Sequence, residues 1–71
     1  MTGANPAIGV VSRSEIYVAE HEYGFKYMFE VNLADGRVLL FEGYANTREK
    51  ASANGVSRSE KMVERGYQEG M

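Results

Sequence analysis

The sequence predicts an α+β fold: a three-stranded antiparallel sheet followed by one C-terminal helix packed on one of its faces (β-β-β-α). Three observations carry that reading. The stretch "FKYMFEVNL" (25–33) alternates with period two, setting Phe25, Tyr27, Phe29, Val31 and Leu33 against Lys26, Met28, Glu30 and Asn32. Such alternation marks a strand with one buried face. "ADG" (34–36) follows directly, and Asp-Gly is a strong hairpin signal because a type I′ turn needs positive φ at both central positions. The last third of the chain carries a capped helical pattern between Asn46 and Gly66.

Taken in order, residues 1–11 contain Gly3, Pro6 and Gly9 and read as a flexible, loop-like lead-in. A single domain is expected over 12–66. Its first strand lies in "SEIYVAE", closed by the turn-like "HEYG" (21–24), and its third is "RVLLFEGY" (37–44). Asn46 is the expected helix N-cap, with Glu49 three residues on. Arg65 followed by Gly66 supplies a cation in the last turn and a terminating glycine. The inward helix face is small: Ala51, Gly55, Val56, Ser59, Met62 and Val63. Gly55 in mid-helix costs about 1 kcal/mol relative to alanine, which close approach of the helix to the sheet would offset. Residues 67–71 are expected to be a frayed tail.

"VSRSE" occurs twice, at Val11–Glu15 and Val56–Glu60. The first copy runs into strand-like alternation ("IYVAE") and the second continues a helix ("KMVER"). The string is therefore not a repeat, and the chain holds one structural unit.

With 71 residues and no cysteine, the chain has a small core and neither disulfides nor a thiolate zinc site to reinforce it. A partner subunit is the remaining reinforcement. One histidine, His21, argues against a histidine metal cluster, and no cofactor is expected. The net charge of −2, from 10 acidic and 8 basic residues, does not suit nucleic-acid binding. The start "MTGANPAIGV" lacks a secretory signal pattern and no stretch reaches membrane-spanning length, so a cytoplasmic protein is expected.

Register assigns the faces. A two-residue Asp35-Gly36 turn would pair Leu33 with Val38, Val31 with Leu40 and Glu30 with Phe41. A four-residue His21–Gly24 loop pairs Val18 with Tyr27, Tyr17 with Met28 and Ile16 with Phe29. One face then holds Ile16, Val18, Phe25, Tyr27, Phe29, Val31, Leu33, Val38 and Leu40, under the helix. The other carries Tyr17, Ala19, Met28, Leu39 and Phe41, more apolar than a solvated face should be. That second face is expected to be covered by a second copy, by another protein, or by the N-terminal segment through Ile8, Val10 and Val11.

The stretch from Glu15 to Val56 resembles the YegP-like small domain, a bacterial and archaeal family of unknown function. The likeness lies in "EIY", "YMFEV", "ADGRVLLFEGY" and the alanine-rich helix start reaching "NGV". The chain departs from the family pattern at Phe41, where a small polar residue is usual, and at Ser59, where a helix valine is. The resemblance implies β-β-β-α units used in tandem or as homodimers, and it carries over no catalytic or binding residue.

No catalytic constellation stands out. His21 lies in the expected turn between Glu20 and Glu22, where a tuned base would need burial or a partner. The chain is therefore expected to be a non-enzymatic protein-interaction module, self-associating through the outer sheet face or an edge strand. The expected interface is Tyr17, Met28, Leu39 and Phe41, with Glu20, Glu22 and Glu42 as surface acids. The alternative is a small phage or mobile-element inhibitor, such as an anti-CRISPR protein, docking its acids on a host protein complex.

Overall fold

The alternating stretch in the middle of the chain becomes the central strand of the sheet. In the computed structural model, which describes residues 7–68, the elements are β1 (Val10–Arg13), β2 (Tyr17–His21), β3 (Gly24–Leu33), β4 (Val38–Ala45) and α1 (Arg48–Arg65). The fold is α+β with an antiparallel sheet and a C-terminal helix, but the sheet has four strands rather than three. β3 pairs along one edge with β4. Its other edge is shared, β2 covering Gly24 to Met28 and β1 covering Val31 to Leu33.

The fourth strand comes from the segment expected to be a lead-in: Val10 and Val11 belong to β1. A register shift between Val10 and Ser12 bends the edge. Between β1 and β2, Ser14 donates its backbone N–H to the Glu30 carbonyl at 2.8 Å. Its Oγ accepts the Glu30 N–H at 2.9 Å. The side chain thus replaces a ladder carbonyl and keeps the β3 backbone satisfied across the break. Earlier, Ile8 and Tyr67 exchange backbone hydrogen bonds of 2.8 and 2.7 Å. The start of the described chain is thereby stapled to Tyr67, which had been expected to fray. The expectations for residues 1–6 and 69–71 lie outside the described residues.

Thr47, not Asn46, caps α1: its Oγ1 accepts the Lys50 N–H at 3.1 Å. At the other end Gly66, at φ 82°, donates its N–H to the Met62 carbonyl. The helix buries Ala51, Gly55 and Ser59 against the sheet, while Val63, expected to face inward, stays about half exposed. A Cβ on Gly55 would stand 2.6 Å from Cγ2 of Ile16 and 3.1 Å from Cδ1 of Tyr27. Helix and sheet therefore meet at backbone distance, which offsets the poor helix propensity of glycine. Phe29, Val31, Leu33, Tyr27 and Ala51 form the buried centre.

Candidate functional site

One loop residue sets the faces of the sheet. Leu33 donates its N–H to the Arg37 carbonyl at 2.8 Å, and Gly36 donates to the Leu33 carbonyl at 3.0 Å. The hairpin loop is therefore the three residues Ala34, Asp35 and Gly36, not the two expected. Among the described residues only glycines take positive φ, Gly36 among them at 95°. A type I′ turn would force Asp35 there as well. Asp35 instead holds the loop with its carboxylate: Oδ1 accepts the Arg37 N–H at 3.1 Å and Oδ2 accepts Arg37 Nε at 2.8 Å.

That extra residue slips β4 by one and turns every side chain on it over. Val31 pairs with Leu39, Phe29 with Phe41 and Tyr27 with Gly43. Leu39 and Phe41, expected on the outer face, are corrected to the core face, where both pack on the central cluster. The rings of Phe29 and Phe41 stack at 5.5 Å. The expected pairs of Val18 with Tyr27 and Tyr17 with Met28 are present. The turn between β2 and β3 is nevertheless only Glu22 and Tyr23, since His21 and Gly24 are paired strand residues.

The outer face consequently displays Tyr17, Ala19 and His21 from β2, Lys26, Met28, Glu30 and Asn32 from β3, and Val38, Leu40, Glu42 and Tyr44 from β4. Tyr17, Val38 and Leu40 are each 57% exposed and Tyr44 is 59% exposed. Ile8 and Val10, expected as a cover for this face, pack on the core instead. Lys26 reaches Glu42 at 3.0 Å and lies 6.0 Å from the Tyr44 ring. Its hydrogen bond to Glu42 raises the Lys26 pKa above the ordinary lysine value, against a smaller desolvation effect. The His21 ring meets the Tyr44 ring edge-on at 5.0 Å.

Of the sequence-predicted residues, Tyr17, Met28 and Glu42 share this face. Glu20 pairs with Phe25 at the far end of β2, and Glu22 lies in the turn, both exposed. Val38, Leu40 and Tyr44 were missed. Glu42 itself carried the corrective signal: the two-residue turn would have set its carboxylate opposite Phe29 in the core, where an unpaired charge is not tolerated.

A second surface lies beside the first. The bonded pairs of β4 with β3 involve Arg37, Leu39, Phe41 and Gly43, so the backbone groups of Val38, Leu40, Glu42 and Tyr44 point away along an open edge. Between this edge and α1 runs a groove of about 660 Å3. Phe41, Met62 and Tyr67 give it apolar walls, and Arg58, Lys61 and Arg65 line it from the helix. Arg58 donates from one guanidinium nitrogen to the Glu42 carbonyl at 3.0 Å and to the Tyr27 hydroxyl at 3.1 Å, lying 5.2 Å from the Phe41 ring centre.

Among the described residues no helix is long and apolar enough to cross a membrane, and no group of three or more acidic, histidine or cysteine side chains is placed to hold a metal ion. Compared with protein-family models, curated proteins and solved structures, the chain matches none of them.

Proposed function

We propose that this chain is a non-enzymatic, cytoplasmic protein-interaction module that pairs with a second copy of itself through the outer sheet face. The observation that carries the reading is the row Val38, Leu40 and Tyr44 beside Tyr17 and Met28, four of the five more than half exposed. Burying one such side chain fully stabilises by about 1.5–3 kcal/mol, a large gain for a domain with so small a core. Lys26 and Glu42 neutralise one another on the face, which leaves Glu30 as the carboxylate a copy must accommodate there. Two-fold pairing is the commonest closed arrangement.

Sedimentation equilibrium tests the reading. The wild-type chain should sediment as a dimer, and Leu40→Glu or Tyr17→Glu should yield a monomer with an unchanged helical circular dichroism signal. A wild-type chain that stays monomeric at high concentration overturns self-pairing. So does a dimer indifferent to both substitutions.

A further inference from the structure

The groove beside β4 shares only Tyr44 with the outer face, and its charge runs against that of the whole chain. The net charge is −2, yet Arg58, Lys61 and Arg65 line the groove, and among the described residues no carboxylate does. Spaced three and four apart, these cations occupy one stripe of α1. The two ion pairs among the described residues, Lys26 with Glu42 and Arg37 with Asp35, involve none of them. On the other side Phe41 and Tyr44 of β4 line the groove, and along that strand's edge outward-pointing backbone groups recur at Val38, Leu40, Glu42 and Tyr44, the Glu42 carbonyl already accepting from Arg58.

An open edge facing a cationic helix is suited to an extended chain that bonds through its backbone and carries acidic side chains. The geometry points to an acidic peptide segment of another protein as the occupant, added antiparallel to β4 as a fifth strand, with its carboxylates on Arg58, Lys61 and Arg65. Phe41, Met62 and Tyr67 would take its alternate, apolar side chains. In the free molecule Arg58 covers part of the edge by donating to the Glu42 carbonyl, a common protection of unpaired strands. Binding would release that carbonyl to a peptide N–H and turn the guanidinium to a carboxylate, a stronger, charge-assisted contact. Single-stranded nucleic acid fits less well, because it offers nothing that could pair with the β4 ladder.

Fluorescence anisotropy with labelled peptides tests this on the full chain. The probe is an alternating glutamate–valine peptide; the controls replace glutamate with lysine, or alternate residues with proline, and a labelled oligothymidylate is run beside them. The acidic peptide should bind in a salt-sensitive manner, and both control peptides should bind about tenfold more weakly or worse. The double variant Lys61→Gln/Arg65→Gln, altered only at exposed helix positions, should weaken the acidic peptide about tenfold. The outer-face variant Tyr17→Glu should leave it unchanged, which separates this site from self-pairing. Amide exchange at Leu40, Glu42 and Tyr44 should slow on addition of the acidic peptide, as strand addition requires. Three results overturn the inference: no binding of the acidic peptide, binding indifferent to the double variant or to proline, or oligothymidylate binding more tightly than the peptide.

Discussion

The two hairpins share β3 and differ by one loop residue. Between β2 and β3 the chain turns through Glu22 and Tyr23, and between β3 and β4 through Ala34, Asp35 and Gly36. At β2 the apolar alternation fits one register only: Ile16, just before the strand, and Val18 pack on the core while Tyr17 faces out. On β4 both rows are partly apolar, Val38, Leu40 and Tyr44 in one, Leu39, Phe41 and Ala45 in the other. The face of a strand is thus decided by its own pattern where that pattern is one-sided, and by the parity of its loop where it is not.

Paired substitutions on β4 give the sharpest way to break this comparison. Phe41→Ala should destabilise the fold by about 3 kcal/mol, as expected for an aromatic packed on the core. Leu40→Ala, one residue away, should stay within about 0.5 kcal/mol for the isolated subunit. Equal losses in urea unfolding of the two variants at a concentration favouring monomers would mean that the assigned register is wrong.

Gly43 sharpens the same point with a smaller effect. It lies on the inward row opposite Tyr27, and a Cβ there would overlap the tyrosine ring. Gly43→Ala should therefore lower stability by about 1–3 kcal/mol, although alanine is a better strand residue than glycine. With Gly43 on the outer row the substitution would be neutral or stabilising, so the sign of the change in thermal midpoint decides.

The smallest effect concerns the loop that sets the parity. The Arg37 backbone N–H holds the Asp35 carboxyl below its ordinary value of 3.8, with the guanidinium adding to it against some desolvation. A lowered folded-state pKa means that the ionised form stabilises. The contribution is present above 3.8 and is lost as pH falls through the folded value. Asp35→Asn should flatten that part of the acid limb of a stability–pH curve, and an unchanged limb would remove Asp35 from the account of the loop.

Much of the arrangement was legible in the residues. The β3 alternation, the β2 pairing, the helix with its Gly66 terminus and the close approach at Gly55 all follow from local patterns that agree with one another. β1 was obscured because "VVSR" has no clean alternation and carries a register shift. The groove was obscured for a different reason: Arg58, Lys61 and Arg65 look like ordinary solvated helix charges until β4 is laid beside them.

By itself, then, the order of residues determined β2, β3, β4 and α1 as strand and helix and which row of β3 is buried, since these rest on periodicities read along the chain. Tertiary structure settled which row of β4 faces out, at which the sequence hinted through Glu42, and alone decided that Ile8 closes on Tyr67 and that three cations meet an open edge. Each depends on a distance between segments far apart in sequence, and one residue of loop suffices to exchange the two faces of a strand.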